Sequence, residues 1–360
     1  MIGRFEVTLP AIVTLLLGAG VLTLSTAAPD FSFVQRQLIF AGGGAAAFVL
    51  LLVLGRNRIY RFTWPFYWLS VGLLIATLLF GSEINGAKSW LKLGPLPAFQ
   101  PSEFAKISLL LALSAALHEK PITNIWGYFR PAFLMLLPFG LVFLEPDLGS
   151  ALVLAAIGGG ILLVRGLPWR HVLAFVILFV VAVPFVVWPN LQPHQRARIV
   201  AFANPDADPQ GSGFQVIQSR IAIGSGGVWG KGYKQGTQAQ NGFIPLQYAD
   251  FIYSVLAEEG GLVASAGLLL LYALLFWRLL AMAVECPQDR DQLAIVGVVS
   301  LIGFQVIVNV GVTIGLAPVT GVTLPLISYG GTSLLSTLIA ISLAYVIHRD
   351  RYKNGLLGRS

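Results

Sequence analysis

Apolar residues in this chain neither alternate nor keep to one helical face; they run on without a polar side. Ten such stretches can be drawn, at 9–27, 37–54, 63–80, 102–118, 129–144, 149–165, 171–189, 250–277, 292–314 and 331–347. A helix of about 20 apolar residues matches the roughly 30 Å hydrocarbon core of a bilayer. Membrane barrels are instead written in strands of about ten residues with alternating character, and no other backbone satisfies its own hydrogen bonds in lipid. The pattern therefore predicts an all-α polytopic membrane protein with ten transmembrane helices. They form a single transmembrane domain over 1–360, with one long extracytoplasmic loop, 190–249, between helices 7 and 8. Arg4, the run Leu9 to Leu24 and the small residues Ser25, Thr26 and Ala27 have the outline of a signal peptide. The run is long for a cleaved segment and further spans follow, so it is expected to remain as the first span.

Composition agrees: 56% of residues are hydrophobic and 11% charged, against about 25% charged in soluble domains. A formal net charge of +7 would suggest nucleic acid in a soluble protein. Here the basic residues lie in short loops between apolar runs, which points to membrane orientation and to no nucleic acid. With both termini cytoplasmic, the inner segments hold Arg4, Arg56, Arg58, Arg61, Lys120, Arg130, Arg165, Arg170, Arg278, Arg290, Arg349, Arg351, Lys353 and Arg359, 14 of the 23 basic residues. Five of the other nine lie in the long loop, which weighs little in the positive-inside count. Cys286 is the lone cysteine, and no cysteine or histidine cluster has metal-site spacing.

On this topology three outward segments exceed simple turns: Gly81 to Phe99, the loop from Pro189 to about Ala249, and residues 315–331. A loop of that length in a compact bundle is usually functional. Its many glycines argue for tight backbone turns, and it is expected to fold back onto the bundle. Glu145, Pro146 and Asp147 break a helical hairpin, with two acids expected at a wet interface; an exposed turn and a functional corner both fit.

Candidate chemistry gathers in four places. In QPSEFAK, Pro101 and Ser102 open a helix, and Glu103 and Lys106 are neighbours three residues apart on one face. They are either a self-neutralising pair or a carboxylate and cation aimed into a cavity. Asp250 stands at the start of the eighth run, with Ser254 and Glu258 on the same stripe. It is an N-terminal cap, a partner for Lys106, or a general base. Arg196, Arg198, Arg220, Lys231 and Lys234 lack evident carboxylate partners in the loop beyond Asp206 and Asp208. They are solvated surface charge or, with glycine backbone N–H groups, a site for a pyrophosphate. Pro318 to Ser333 has the composition of an irregular buried loop, for which packing is the expected role.

Taken together, GAKSW, QPSEFAK, PDLGSA, IQSRIAIGSGG, GKGYKQGTQ, DFIYSVLAEE and PVTGVTLPLISYGGTS resemble, in order and over most of the chain, the SEDS family of cell-wall proteins (shape, elongation, division and sporulation). The elongation member is the nearer likeness, the division member the alternative. The resemblance implies a peptidoglycan glycosyltransferase that polymerises lipid II on the outer face of the bacterial cytoplasmic (inner) membrane. Its implied partner is a class B penicillin-binding protein, a PBP2-type transpeptidase. The family's essential aspartate falls on Asp250, its tryptophan on Trp90, and its fourth-helix acid and base on Glu103 and Lys106. The implied catalytic set is thus Asp250, Lys106 and Glu103. Trp90, Arg196, Arg198, Arg220 and Lys231 are the substrate-binding candidates. No cofactor is required by these residues; a divalent cation, Mg or Mn, near the pyrophosphate is allowed. The chain departs from the family where Pro-Glu-x-His-Thr-Asp becomes Pro245, Leu246, Gln247, Tyr248, Ala249, Asp250, where Glu145 replaces a glutamine, and where Leu326 replaces a phenylalanine. The rival readings are a lipid II flippase, against which the ionisable residues lie near one face rather than the midplane, and a non-catalytic scaffold for the transpeptidase.

Overall fold

The computed structural model describes residues 6–84, 87–92, 98–118, 125–168, 188–204 and 212–352, with 170, 171, 173, 174, 177, 181 and 185 between them. The apolar runs become helices α1 (Thr8–Ala27), α2 (Phe31–Arg61), α3 (Thr63–Phe80), α4 (Pro101–Leu117), α5 (Phe129–Leu144) and α6 (Leu148–Val164). After α7 (Pro193–Ala203), α8 (Ser212–Ser225) and the single-turn α9 (Thr237–Gln240) come α10 (Ile252–Val284), α11 (Asp289–Ile314) and α12 (Gly331–Arg349). Nine of the ten expected runs fall on these helices; the run 171–189 lies largely outside the described residues, as do Asp206 and Asp208. α1, α2, α3, α10, α11 and α12 are long and apolar enough to cross a bilayer, and α5 and α6 are shorter apolar helices. The protein is a multi-pass, predominantly helical membrane protein.

The chain forms two compact units, residues 1–55, 198–285 and 302–360 in one, 56–197 and 286–301 in the other. In the second unit α4 is central. It packs on α3, α5 and α6, and Leu109, Leu110, Ala112 and Leu113 are fully buried. This burial on every side accounts for its lack of a polar face. A hairpin that the hydropathy pattern did not predict precedes α4, with β1 (Ser82–Ile84) antiparallel to β2 (Ala87–Trp90). Lys88 on β2 donates to the Leu78 and Leu79 carbonyls at the end of α3, where the helix dipole favours a cation.

The first unit is built around α10, which contacts α1, α8, α9 and α12. This 33-residue helix is broken at Gly261, where φ is 65°. A break in a helix strands the N–H groups after it and the carbonyls before it. The glycine-rich loop supplies all four partners. Lys231 N and Gly232 N donate to the Glu258 and Glu259 carbonyls at 3.0 and 2.9 Å. Leu262 N and Val263 N donate to the Gly227 and Val228 carbonyls at 2.9 and 3.2 Å. Such close approach requires glycine on both sides: a Cβ on Gly230 would meet the Glu259 oxygen at 2.1 Å, and one on Gly261 the Gly230 nitrogen at 2.3 Å. Gly230 also sits at φ 78°, where only glycine is unstrained. The loop is thus a splint for the interrupted helix.

Candidate active site

Asp250 lies two residues before α10, and the N-cap position belongs to Phe251, which makes no side-chain cap bond. The capping role open to Asp250 from sequence is therefore not the one it has. Phe251 is fully buried in an apolar cluster with Val216, Ala222, Ile244, Val312 and Val319, which anchors the chain immediately after the aspartate. On the other side, three successive carbonyls are held from a different part of the chain. Tyr329 N donates to the Tyr248 carbonyl at 2.9 Å, the Ser328 hydroxyl to the Ala249 carbonyl at 2.6 Å, and Asn309 Nδ2 to the Asp250 carbonyl at 3.1 Å. Ser328 also accepts from Leu324 N at 2.8 Å, and Asn309 donates to the Val322 carbonyl at 2.8 Å. Phe33, Tyr248 and Tyr329 close the arrangement with ring centroids 4.7 to 5.9 Å apart. The segment Pro318 to Ser333, expected to serve packing, thus fixes the backbone leading to the aspartate, and Asn309 of α11 holds the carbonyl of the aspartate itself. Its residues are apolar or small hydroxyls, so composition concealed this role.

Burial pushes the Asp250 carboxyl up to about 6, while the positive charge of Arg198 pulls it down. Among the described residues its side chain has no ion-pair partner, so the carboxylate is held by its backbone rather than by side-chain partners. Near neutral pH such a group is ionised and still basic enough to take a proton.

The other loop cations have different surroundings. Lys231, expected without a carboxylate, has one: its ammonium donates to Glu258 Oε1 at 2.7 Å. Glu258 is fully buried and also accepts from Gln238 N and Ala239 N at 2.9 and 3.1 Å. The partner stands 27 residues away in sequence, too far for spacing to reveal. Arg196 donates to the Pro189 carbonyl at 2.8 Å and lies 5.9 Å from the Trp188 ring centroid. Arg220 on α8 is exposed, its side chain beside Gly315. Ser254, on the predicted polar stripe, bonds Ser219 of α8 at 2.6 Å, and Ser219 donates to the Thr313 carbonyl at 2.7 Å.

In the second unit, Lys106 donates to Glu103 Oε1 at 2.7 Å, with both side chains buried. The neutralised pair predicted from their spacing is present. Trp90 ends β2 opposite Ser82 and is partly buried. The Glu145 corner differs from expectation: Glu145 is fully buried rather than wet, and neither carboxyl oxygen has a hydrogen-bond partner among the described residues. Burial, with a smaller contribution from Asp147, pushes its carboxyl up to about 8. Asp147 instead caps α6 through Ser150 N at 3.0 Å and accepts from Gln100 Nε2 at 2.7 Å. Among the described residues no three His, Cys, Asp or Glu side chains gather as metal ligands.

A polytopic helical protein that holds an aspartate by its backbone near an arginine is the class these features define. The chain belongs to the SEDS family: the family described as "Cell cycle protein", comprising FtsW, RodA and SpoVE, matches residues 6–353. It is 35% identical over 346 residues to the peptidoglycan glycosyltransferase MrdB of Escherichia coli K12, covering 94% of this chain and 92% of that protein. A chain from a solved structure described as "Structural coordination of polymerization and crosslinking by a peptidoglycan synthase complex" is 45% identical, with a TM-score of 0.86 and coverage of 98% and 99%. The rod shape determining protein RodA of Thermus thermophilus is 40% identical, with a TM-score of 0.75 and coverage of 97% and 98%.

Proposed function

We propose that this protein is a peptidoglycan glycosyltransferase that polymerises lipid II for cell elongation. Likeness to the MrdB and RodA proteins over nearly the whole chain supports this reading. In this reading it lies in the bacterial cytoplasmic membrane with both termini inside and acts at the outer face. The likeness to a chain of a polymerising and crosslinking complex supports a class B penicillin-binding protein as its partner.

The reaction is one in-line displacement. The 4-hydroxyl of a lipid-linked acceptor sugar attacks the anomeric carbon of the growing strand, a new C–O bond forms, and the bond to undecaprenyl pyrophosphate breaks. Inversion converts the α-linked pyrophosphate into a β-1,4 linkage. Asp250 takes the hydroxyl proton, and the electron pair of the broken bond leaves on the pyrophosphate. Arg198 offers positive charge to that leaving group, since charge that develops in the transition state is best met by a fixed cation. Arg196 and Arg220 are proposed to contribute to pyrophosphate binding, and Trp90 to sugar binding. Lys231, held by Glu258, is proposed to act through the loop it fixes. Glu103 and Lys106 are proposed to belong to the machinery, with Glu103 holding Lys106.

The observation that carries this reading is the Asp250 carboxylate, raised to about 6 by burial and fixed by three backbone bonds. The test is the purified complex with its partner, transpeptidation blocked, supplied with lipid II. Wild type is expected to give glycan strands, and Asp250→Asn none. Polymer from the Asn variant at the wild-type rate would remove the general base; no polymer from a folded wild-type complex would favour transport or scaffolding.

A further inference from the structure

The loop that splints α10 also carries its most exposed apolar side chains: Trp229 is 81% exposed, Val228 53% and Tyr233 56%. Immediately across the splint, Leu262 and Val263 on the helix are 62% and 52% exposed. The backbone bonds from Leu262 to Gly227 and from Val263 to Val228 make these one continuous patch. Lys234 lies 5.6 Å from the Tyr233 ring centroid at its edge. Aromatic rings with a lysine beside them are the composition of a membrane–water boundary, and the patch continues into the apolar face of a spanning helix.

Two independent rulers place that boundary at the loop. After the break, Gly261 to Val284 is 24 residues of α10, about 36 Å of helix, enough for the roughly 30 Å core without the nine residues before it. α1 is 20 residues, about 30 Å, and ends where the core should end. Its Ser25 hydroxyl meets the Tyr233 hydroxyl at 2.7 Å. The break in α10 and the outer end of α1 are therefore at one level, and the loop sits on it.

We propose that residues 226–234 form an interfacial collar, with Val228, Trp229 and Tyr233 seated in the outer lipid leaflet. The collar and the aspartate share one level: Gln247, three residues before Asp250, donates to the Ala27 carbonyl at the outer end of α1 at 3.0 Å, which sets Asp250 at the outer boundary where a lipid-linked pyrophosphate lies. This deepens the glycosyltransferase reading and rests on it for the outward orientation.

The test uses the full-length protein with Cys286→Ser and Trp229→Cys, labelled with bimane. It is reconstituted in phosphatidylethanolamine and phosphatidylglycerol vesicles containing headgroup-, 5- or 12-doxyl lipid, without lipid II. Tyr233→Cys in the same background guards against misfolding of the first variant. Strongest quenching by headgroup or 5-doxyl lipid is expected at both positions. Strongest quenching by aqueous iodide or by 12-doxyl lipid would overturn the collar, as would loss of lipid quenching when the transpeptidase partner is added, which would make the patch a protein interface. The profile is read without turnover, so it fails separately from the polymerisation assay.

Discussion

Ser328 is the residue whose removal tests most sharply how the aspartate is held. Its side chain is 4% exposed, and its hydroxyl joins two backbone groups, donating to the Ala249 carbonyl at 2.6 Å and accepting from Leu324 N at 2.8 Å. Ser328→Ala leaves both without that partner at a cost of about 1 to 3 kcal/mol each. Allowing for partial repair by water, the loss of stability should be about 2 to 4 kcal/mol. The same change frees the carbonyl next to Asp250. A catalytic group displaced by about 1 Å loses on the order of a hundredfold in rate, so strand synthesis should fall by roughly that factor. The assay pairs thermal unfolding in detergent with polymerisation measured well below the unfolding midpoint. The control is Ser342→Ala, whose hydroxyl donates at 2.6 Å to the Leu338 carbonyl of its own helix and should leave the rate near wild type. Polymerisation by Ser328→Ala within twofold of wild type, or an equal loss in Ser342→Ala, would refute the claim that the segment positions Asp250.

The pH dependence of polymerisation should show an acid limb with a midpoint near 6, because the base is inactive once Asp250 binds a proton. Between pH 7 and pH 5 the ionised fraction falls about tenfold, and a flat initial-rate profile over that range would contradict the assignment. Glu145 gives a prediction for stability. Its folded carboxyl is raised to about 8 from 4.5, so between those values the folded state holds a proton that the unfolded state has released. Stability therefore falls as pH rises through that window, by about 1.4 kcal/mol per pH unit at most. Glu145→Gln should flatten this decline and raise the unfolding temperature at pH 8, while leaving it little changed at pH 4.5; an undiminished slope in the variant would show that another group titrates.

The class of structure and the candidate residues can be read from the order of residues alone. Runs of all-round apolar residues admit only spanning helices, because lipid offers no partner to an open backbone. The spacing of Glu103 and Lys106 made an ion pair one of two readings, since residues three apart on a helix are neighbours, and the structure shows that pair. An aspartate at the head of a span drew attention because a carboxylate is costly there. What remained hidden depends on residues distant in the chain. Glu258 and Lys231 are 27 apart, and Ser328 reaches Ala249 across 79 positions. Burial of Glu145 follows from neighbours that no local pattern names, and it reversed the expected wet corner. The glycines of the long loop signalled tight backbone in the sequence, but not that the backbone they approach is a broken helix. That pairing comes from the fold, because the four backbone groups left at Gly261 find their partners in a segment some thirty residues earlier.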